Sequence, residues 1–272
     1  ITSNGAPNDP NTGLVVSRNL ISSGAKAGIF LNQGAGKVHI DSNTIAHYGY
    51  SAATEGYAVL HQMVNDSIFI TRNNILFSTE KLGAVTRGIQ LIAGGPLGPG
   101  GAYALVGNNM ILAEKGGIQV VGDTMFHTPD SMSNLIGVEF SGSSVMITDV
   151  INNTIKLTGN MDGVTVSNAY SAVFQNANSN PASLIRILNN IFVNERNTGS
   201  AARENIKLSY ATTSNIVMAN YNTYNSATGI LANIAGTNYA TLASLRTALG
   251  SSNESQANLY PVTFLDEYDL HL

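Results

Sequence analysis

Apolar and polar residues change places along this chain in short runs, and two runs recur. The first reads apolar, two residues, Asn, one residue, then usually Ile or another apolar residue. Its copies are Val16-Ser17-Arg18-Asn19-Leu20-Ile21, Ile40-Asp41-Ser42-Asn43-Thr44-Ile45, Ile70-Thr71-Arg72-Asn73-Asn74-Ile75 and Leu105-Val106-Gly107-Asn108-Asn109-Met110. Three more follow: Val150-Ile151-Asn152-Asn153-Thr154-Ile155, Ile187-Leu188-Asn189-Asn190-Ile191-Phe192, and a weaker Ala219-Asn220-Tyr221-Asn222-Thr223-Tyr224. Between them lies a second signature: Gly, apolar, variable, apolar. It appears as Gly28-Ile29-Phe30-Leu31, Gly88-Ile89-Gln90-Leu91, Gly117-Ile118-Gln119-Val120, Gly137-Val138-Glu139-Phe140 and Gly163-Val164-Thr165-Val166. Asn205-Ile206-Lys207-Leu208 and Gly229-Ile230-Leu231-Ala232 are looser versions, and Tyr57-Ala58-Val59-Leu60 fits the second coil.

Two alternating strand signatures are two faces of one coil. Within each strand the Ile, Val, Leu and Met positions point one way and the residue between them points the other, at period two. A single coil buries almost nothing. Seven or eight coils stacked one strand spacing apart bury a continuous apolar column roughly 35 Å long. The irregular spacing of the copies argues against a propeller or a leucine-rich repeat, whose periods are strict. The pattern predicts an all-β chain: a parallel β-helix of about eight coils with three short strands per coil, in a single domain over 1–272. Coils occupy 1–236, and a helix and tail occupy 237–272. Leu242, Leu245 and Leu249 have helical spacing, with Gly250 as the stop and Thr237 or Asn238 as the N-cap.

The recurrent Asn tolerates the left-handed conformation, which suits a bend between strands, and its amide donates and accepts, so stacked copies can bond along the axis. The expected ladder is Asn19, Asn43, Asn73, Asn108, Asn153, Asn190 and Asn222. Here the chain, over roughly residues 12 to 235, resembles the pectate-lyase-like superfamily of right-handed β-helices, which carries such an interior ladder. That resemblance implies the fold and its right-handed coil, and leaves function open. The helix, the run Asn258-Leu259-Tyr260-Pro261 and the closing Asp269-Leu270-His271-Leu272 resemble the ends of β-helix regions in large secreted proteins of Bacteroidetes-type bacteria. The implication is a piece of a longer chain with further domains.

Composition supports short strands over helices. Charged residues make up 11% of the chain, against about 25% in an average domain. Neutral polar residues take their place. The net charge is −4 and no basic stripe appears, so nucleic acid has no electrostatic footprint. No apolar run approaches the 18 or so residues a membrane span needs. With no cysteine, disulfide scaffolds and thiolate metal sites are excluded.

Candidate chemistry is sparse. Hydrolases of this fold need paired carboxylates on neighbouring coils, and the family motifs Asn-Thr-Asp, Gly-His-Gly and Arg-Ile-Lys are absent. Asp266 and Glu267 are adjacent but lie in the tail. A polysaccharide lyase needs cations to neutralise the uronate and a base for its C5 proton. Arg87 and Lys115 are the candidates, with His61 and Arg72 as helpers; the plainer reading is solvated charges at strand edges. The five histidines show no ligand spacing, so no metal site or cofactor is expected. Calcium is the one ion left open. A glycan face is the remaining idea. The outward line Phe30, Val59, Gln90, Gln119, Glu139, Thr165 and Lys207 could hold a sugar chain, although without Trp the stacking falls to Tyr and Phe.

The reading that follows is a non-catalytic extracellular module of a bacterial surface or secreted protein, serving adhesion or glycan contact beside other domains of a longer chain. The alternatives are a lyase on an acidic polysaccharide and a structural stalk.

Overall fold

The computed structural model describes residues 1–4, 13–24, 27–32, 36–48, 55–64, 66–79, 85–94, 102–115, 118–121, 124–127, 134–158, 171–196, 203–210, 213–227, 229–265 and 270. Among these the chain forms a nine-stranded, a seven-stranded and an eight-stranded sheet, with one separate two-stranded hairpin. Successive strands of the chain visit the three sheets in turn, and each strand lies parallel to its counterpart one coil on. This is a parallel β-helix. Among the described residues, antiparallel pairing occurs only in the hairpin Ile118–Val121 with Thr124–His127 and in Ala232–Ile234 with Thr237–Tyr239.

The column inside is built from rows of like residues. In the eight-stranded sheet Ile21, Ile45, Ile75, Ile111, Ile155, Phe192 and Tyr224 fall in one register. In the seven-stranded sheet Val16, Ile40, Ile70, Val106, Val150, Ile187 and Ala219 do the same. In the nine-stranded sheet the row is Ile29, Val59, Ile89, Val138, Phe174, Ile206 and Ala232. Branched side chains suit a pleated surface, and stacking them at every coil removes nearly all of their apolar area from water. Gly137 has no room for a side chain: a Cβ there would lie 2.5 Å from the Val173 carbonyl oxygen and 2.6 Å from Ile155.

The asparagine ladder stands at the bend between the seven- and eight-stranded sheets. Its members are Asn19, Asn43, Asn73, Asn109, Asn153, Asn190 and Asn222. From Asn43 on, each Oδ1 accepts two bonds from the coil before, one from the backbone N–H and one from Nδ2. Each of these amides also donates to a backbone carbonyl of the preceding coil, as Asn109 does to Ile70 and Asn153 to Val106. The expectation of Asn108 is corrected. Asn108 is exposed, and its buried neighbour Asn109 takes the rung. The expected reason for the bend is corrected too. The left-handed residue is the one before each rung: Arg18, Ser42, Arg72, Asn108, Asn152, Asn189 and Tyr221, with φ between 54° and 58°. The rung Asn therefore serves as bonding hub, while its predecessor makes the bend.

At the C-terminal end helix α1 spans Leu242–Leu249, with Leu245 and Leu249 buried against the column. Its N-cap is Thr241, which accepts from Ser244 N at 3.1 Å. The expected caps Thr237 and Asn238 belong instead to the strand before it. Gly250 ends the helix at φ 94°.

Candidate functional site

The predicted glycan line runs on the outward side of the nine-stranded sheet. Its true register is Phe30, Leu60, Gln90, Glu139, Gln175, Lys207 and Asn233. Val59 leaves it, because its row faces the core. Gln119 leaves it as well, since it sits in the antiparallel hairpin outside the stacked sheets. Thr165 lies outside the described residues. The strand that fills the place expected for Gly163–Val166 is Ser171–Asn178. It starts without the glycine that marked the others.

Facing outward does not expose this row. Gln90, Glu139 and Gln175 are all buried. Both amides donate to the one carboxylate: Gln90 Nε2 to Glu139 Oε2 at 2.9 Å and Gln175 Nε2 to Glu139 Oε1 at 3.0 Å, while Gln175 Oε1 is buried without a hydrogen-bond partner among the described residues. Arg87 Nε donates to the same carboxylate, and the guanidinium lies 5.4 Å from the Tyr57 ring centre. A carboxylate taken out of water is tolerated because three side chains donate to it, one of them a cation. Phe30 and Lys207 are half-buried at this row's flanks.

The lyase candidates do not converge. Arg87 is on the nine-stranded sheet and engaged with Glu139. Lys115 ends the strand Met110–Lys115 of the eight-stranded sheet, and its side chain lies outside the described residues. Arg72 is at the edge of the seven-stranded sheet, its guanidinium held by both Asp41 oxygens at 2.8 Å. His61 is inside the column, in register with Leu31 and Leu91. Burial drives its imidazole down to about 4, against one backbone hydrogen bond to Gln62 that favours the charged form. It is a neutral core histidine at ordinary pH. Among the described residues no three His, Asp or Glu side chains gather to hold a metal, and no helix is long and apolar enough to cross a membrane. Asp266, Glu267 and His271 lie outside the described residues.

More exposed side chains gather on the outward side of the seven-stranded sheet, where Arg72 is the one sequence candidate present. His39 stacks on Phe69 with ring centres 4.7 Å apart, and Phe69 meets Tyr103 at 5.8 Å, tilted by 60°. Lys37 Nζ lies 5.9 Å from the Phe69 centre. Tyr103 donates to Asp149 at 2.8 Å, and Arg186 grips the same carboxylate at 2.6 and 2.5 Å. Burial, then the Asp149 bond, pushes the Tyr103 phenol up to about 12, so it stays a donor. One coil end opens into a shallow depression of about 400 Å³ lined by Val15, Arg18, His39, Asp41, Thr71 and Arg72. The Arg72 hydrogen bonds, followed by those of Thr71 and Ser42, hold the Asp41 carboxyl down to about 2 despite some burial. The aromatic spacing His39, Phe69 was a signal available in the sequence: each stands one residue before the apolar residue that opens the Asn motif.

No family model, curated protein or solved structure matches the chain.

The site is thus defined by its own geometry. The His39 and Phe69 rings cover one another's facing sides and stay half-buried at the surface, with the Tyr103 ring tilted against Phe69. Around them stand Lys37, Arg18, Arg72 and Arg186, with the carboxylates of Asp41 and Asp149. Such a surface can hold a polar chain by bidentate hydrogen bonds beside apolar ring surface.

Proposed function

We propose that this chain is a non-catalytic extracellular module of a bacterial surface or secreted protein, a right-handed relative of the pectate-lyase-like β-helices, and that it contacts glycan. The contact surface is the outward side of the seven-stranded sheet. One observation carries the reading: the half-buried His39–Phe69–Tyr103 row runs into a depression edged by Arg18, Asp41 and Arg72. Glycans are recognised by this mixture of apolar ring surface and paired donors and acceptors. A composition poor in charge and rich in Asn, Ser and Thr suits an extracellular surface of this kind. The lyase reading is weakened by the engagement of Arg87 with Glu139 and the separation of its four candidates.

The test is calorimetric titration of the chain with neutral and uronate oligosaccharides, alongside ultraviolet absorbance for the unsaturated lyase product. The expected result is saturable heat that falls about tenfold in affinity in Arg18→Ala, as loss of a charge-assisted bond predicts, with flat absorbance. Rising absorbance would establish the lyase instead. No heat with any glycan would leave the chain as a stalk.

A further inference from the structure

The ladder and the eight-stranded sheet end close together. Asn222 Nδ2 donates to Glu254 Oε1 at 3.0 Å, which closes the ladder. The chain then adds one short strand, Asn258–Leu259, parallel to Thr223–Ser226, with Asn258 beside Thr223 and Leu259 beside Tyr224. Continued pairing would set Tyr260 beside Asn225 and Pro261 beside Ser226. Proline has no N–H to give a ladder, and the strand stops at Leu259. Where the chain leaves the sheet, a cavity of about 230 Å³ opens. Asn225 and Ser226 line it from the strand, Tyr260 and Pro261 from the departing chain, and Leu231 and Ala240 from the segment between.

This lining defines the ligand. Among the described residues it holds no charged side chain, so a carboxylate or phosphate there would lose water without gaining a cation. Asn225 is half-buried and Tyr260 is 63% exposed, and no hydrogen bond among the described residues occupies either side chain. A primary amide donates and accepts at once, which matches two adjacent hydroxyls of a sugar ring. Tyr260 and Leu259 leave apolar area in water beside the concavity, and a tyrosine joins an apolar face to a polar tip. Size sets the number of rings. Sites for drug-sized ligands begin at about 300 Å³, so this smaller cavity takes one.

We propose that the cavity is a binding site for one neutral glycosyl unit, its apolar ring face on Tyr260 and its adjacent hydroxyls on the Asn225 amide. The site lies at the end of the eight-stranded sheet, apart from the seven-stranded face, and does not depend on the contact proposed there.

The test is saturation-transfer difference NMR on the full chain. The probes are the methyl glycosides of glucose, galactose, mannose and N-acetylglucosamine, with methyl glucuronide as the charged counterpart. They are titrated through the millimolar range, where a ligand of one ring binds. The expected result is saturable transfer to at least one neutral glycoside and at least about tenfold weaker binding of the glucuronide. Tyr260→Ala should abolish the transfer and Tyr260→Phe should keep most of it. Tyr210→Ala, an exposed tyrosine outside the cavity, should change nothing. Because Tyr260 is exposed, its variants should melt with the parent chain. The proposal is overturned by the absence of saturable transfer to any neutral glycoside, by equal binding of the glucuronide, or by parent-like binding in both Tyr260→Ala and Asn225→Ala.

Discussion

The outward sides of the nine-stranded and seven-stranded sheets use the same residue types to opposite ends. On the first, Arg87, Gln90, Glu139 and Gln175 are buried and turned on one another. On the second, Arg72 and Asp41 form a pair whose arginine is 67% exposed. Burial converts a polar row into structure, because each group must then be satisfied from within. Exposure leaves a polar row available to a ligand, because water competes for its bonds and little stability depends on them. A charged residue on a strand is therefore no guide to function until its surroundings are known.

The largest effect is expected at the buried pair. Glu139→Ala removes the acceptor of three donors and leaves Arg87 without its carboxylate in a site shielded from water. Chemical denaturation should show a loss of about 3 to 5 kcal/mol. A loss below about 1 kcal/mol would mean that the nine-stranded face is as open as the other.

The same contrast can be drawn between two neighbours in sequence. Asn109→Ala deletes a rung that accepts from Asn73 and donates to Ile70 and Asn153. It should cost about 3 kcal/mol, several buried groups losing their partners. Asn108→Ala keeps the rung and puts a less tolerant residue at φ 54°, at about 1 kcal/mol. Equal losses would break the assignment of the ladder to Asn109.

His61 gives the buried side a pH signature. Its folded pKa of about 4 lies below the unfolded value of 6.5. The stability that depends on the neutral ring is therefore present above pH 6.5 and lost as pH falls towards 4, to the order of 3 kcal/mol. His61→Leu, matching Leu31 and Leu91, should flatten the melting temperature over that window. Glu254 works the other way: burial raises its carboxyl, so its contribution is greatest below the ordinary carboxylate range and declines as pH rises. An unchanged acid slope in His61→Leu would place the titrating group elsewhere.

The smallest effect is expected on the open face. Arg72→Ala should shift the denaturation midpoint only slightly at low salt and less at high salt. The Asp41 carboxyl, held down to about 2 chiefly by Arg72, should rise towards its ordinary range, as carbon-detected titration would show. Its stabilising share in the parent chain is present above about pH 4 and lost as pH falls through 2.

Much of the architecture was legible because a stacked coil repeats its demands. Each inward position asks for a branched apolar residue and each rung for Asn, so the motif recurs wherever the coil does. The register slip at Asn108 came from the doublet Asn108-Asn109, where either could be the rung. The apolar residue three places earlier decides it: Val106 faces inward and Leu105 does not. The strand Ser171–Asn178 was missed because Val173 stands where the expected glycine would, and the hairpin carrying Gln119 was taken for a coil because its local signature is the same. The site was the least legible part. Gln90, Glu139 and Lys207 read as an exposed line, since period two tells inward from outward and says nothing of what covers the outside.

The sequence by itself determined the solenoid: repeat, alternation, ladder and C-terminal helix are local demands written into every coil. The tertiary structure alone decided which outward rows are covered, that His61 is a core residue, and that Glu254 closes the ladder. Those depend on residues from distant coils meeting at one place, a relation that no single stretch of sequence contains.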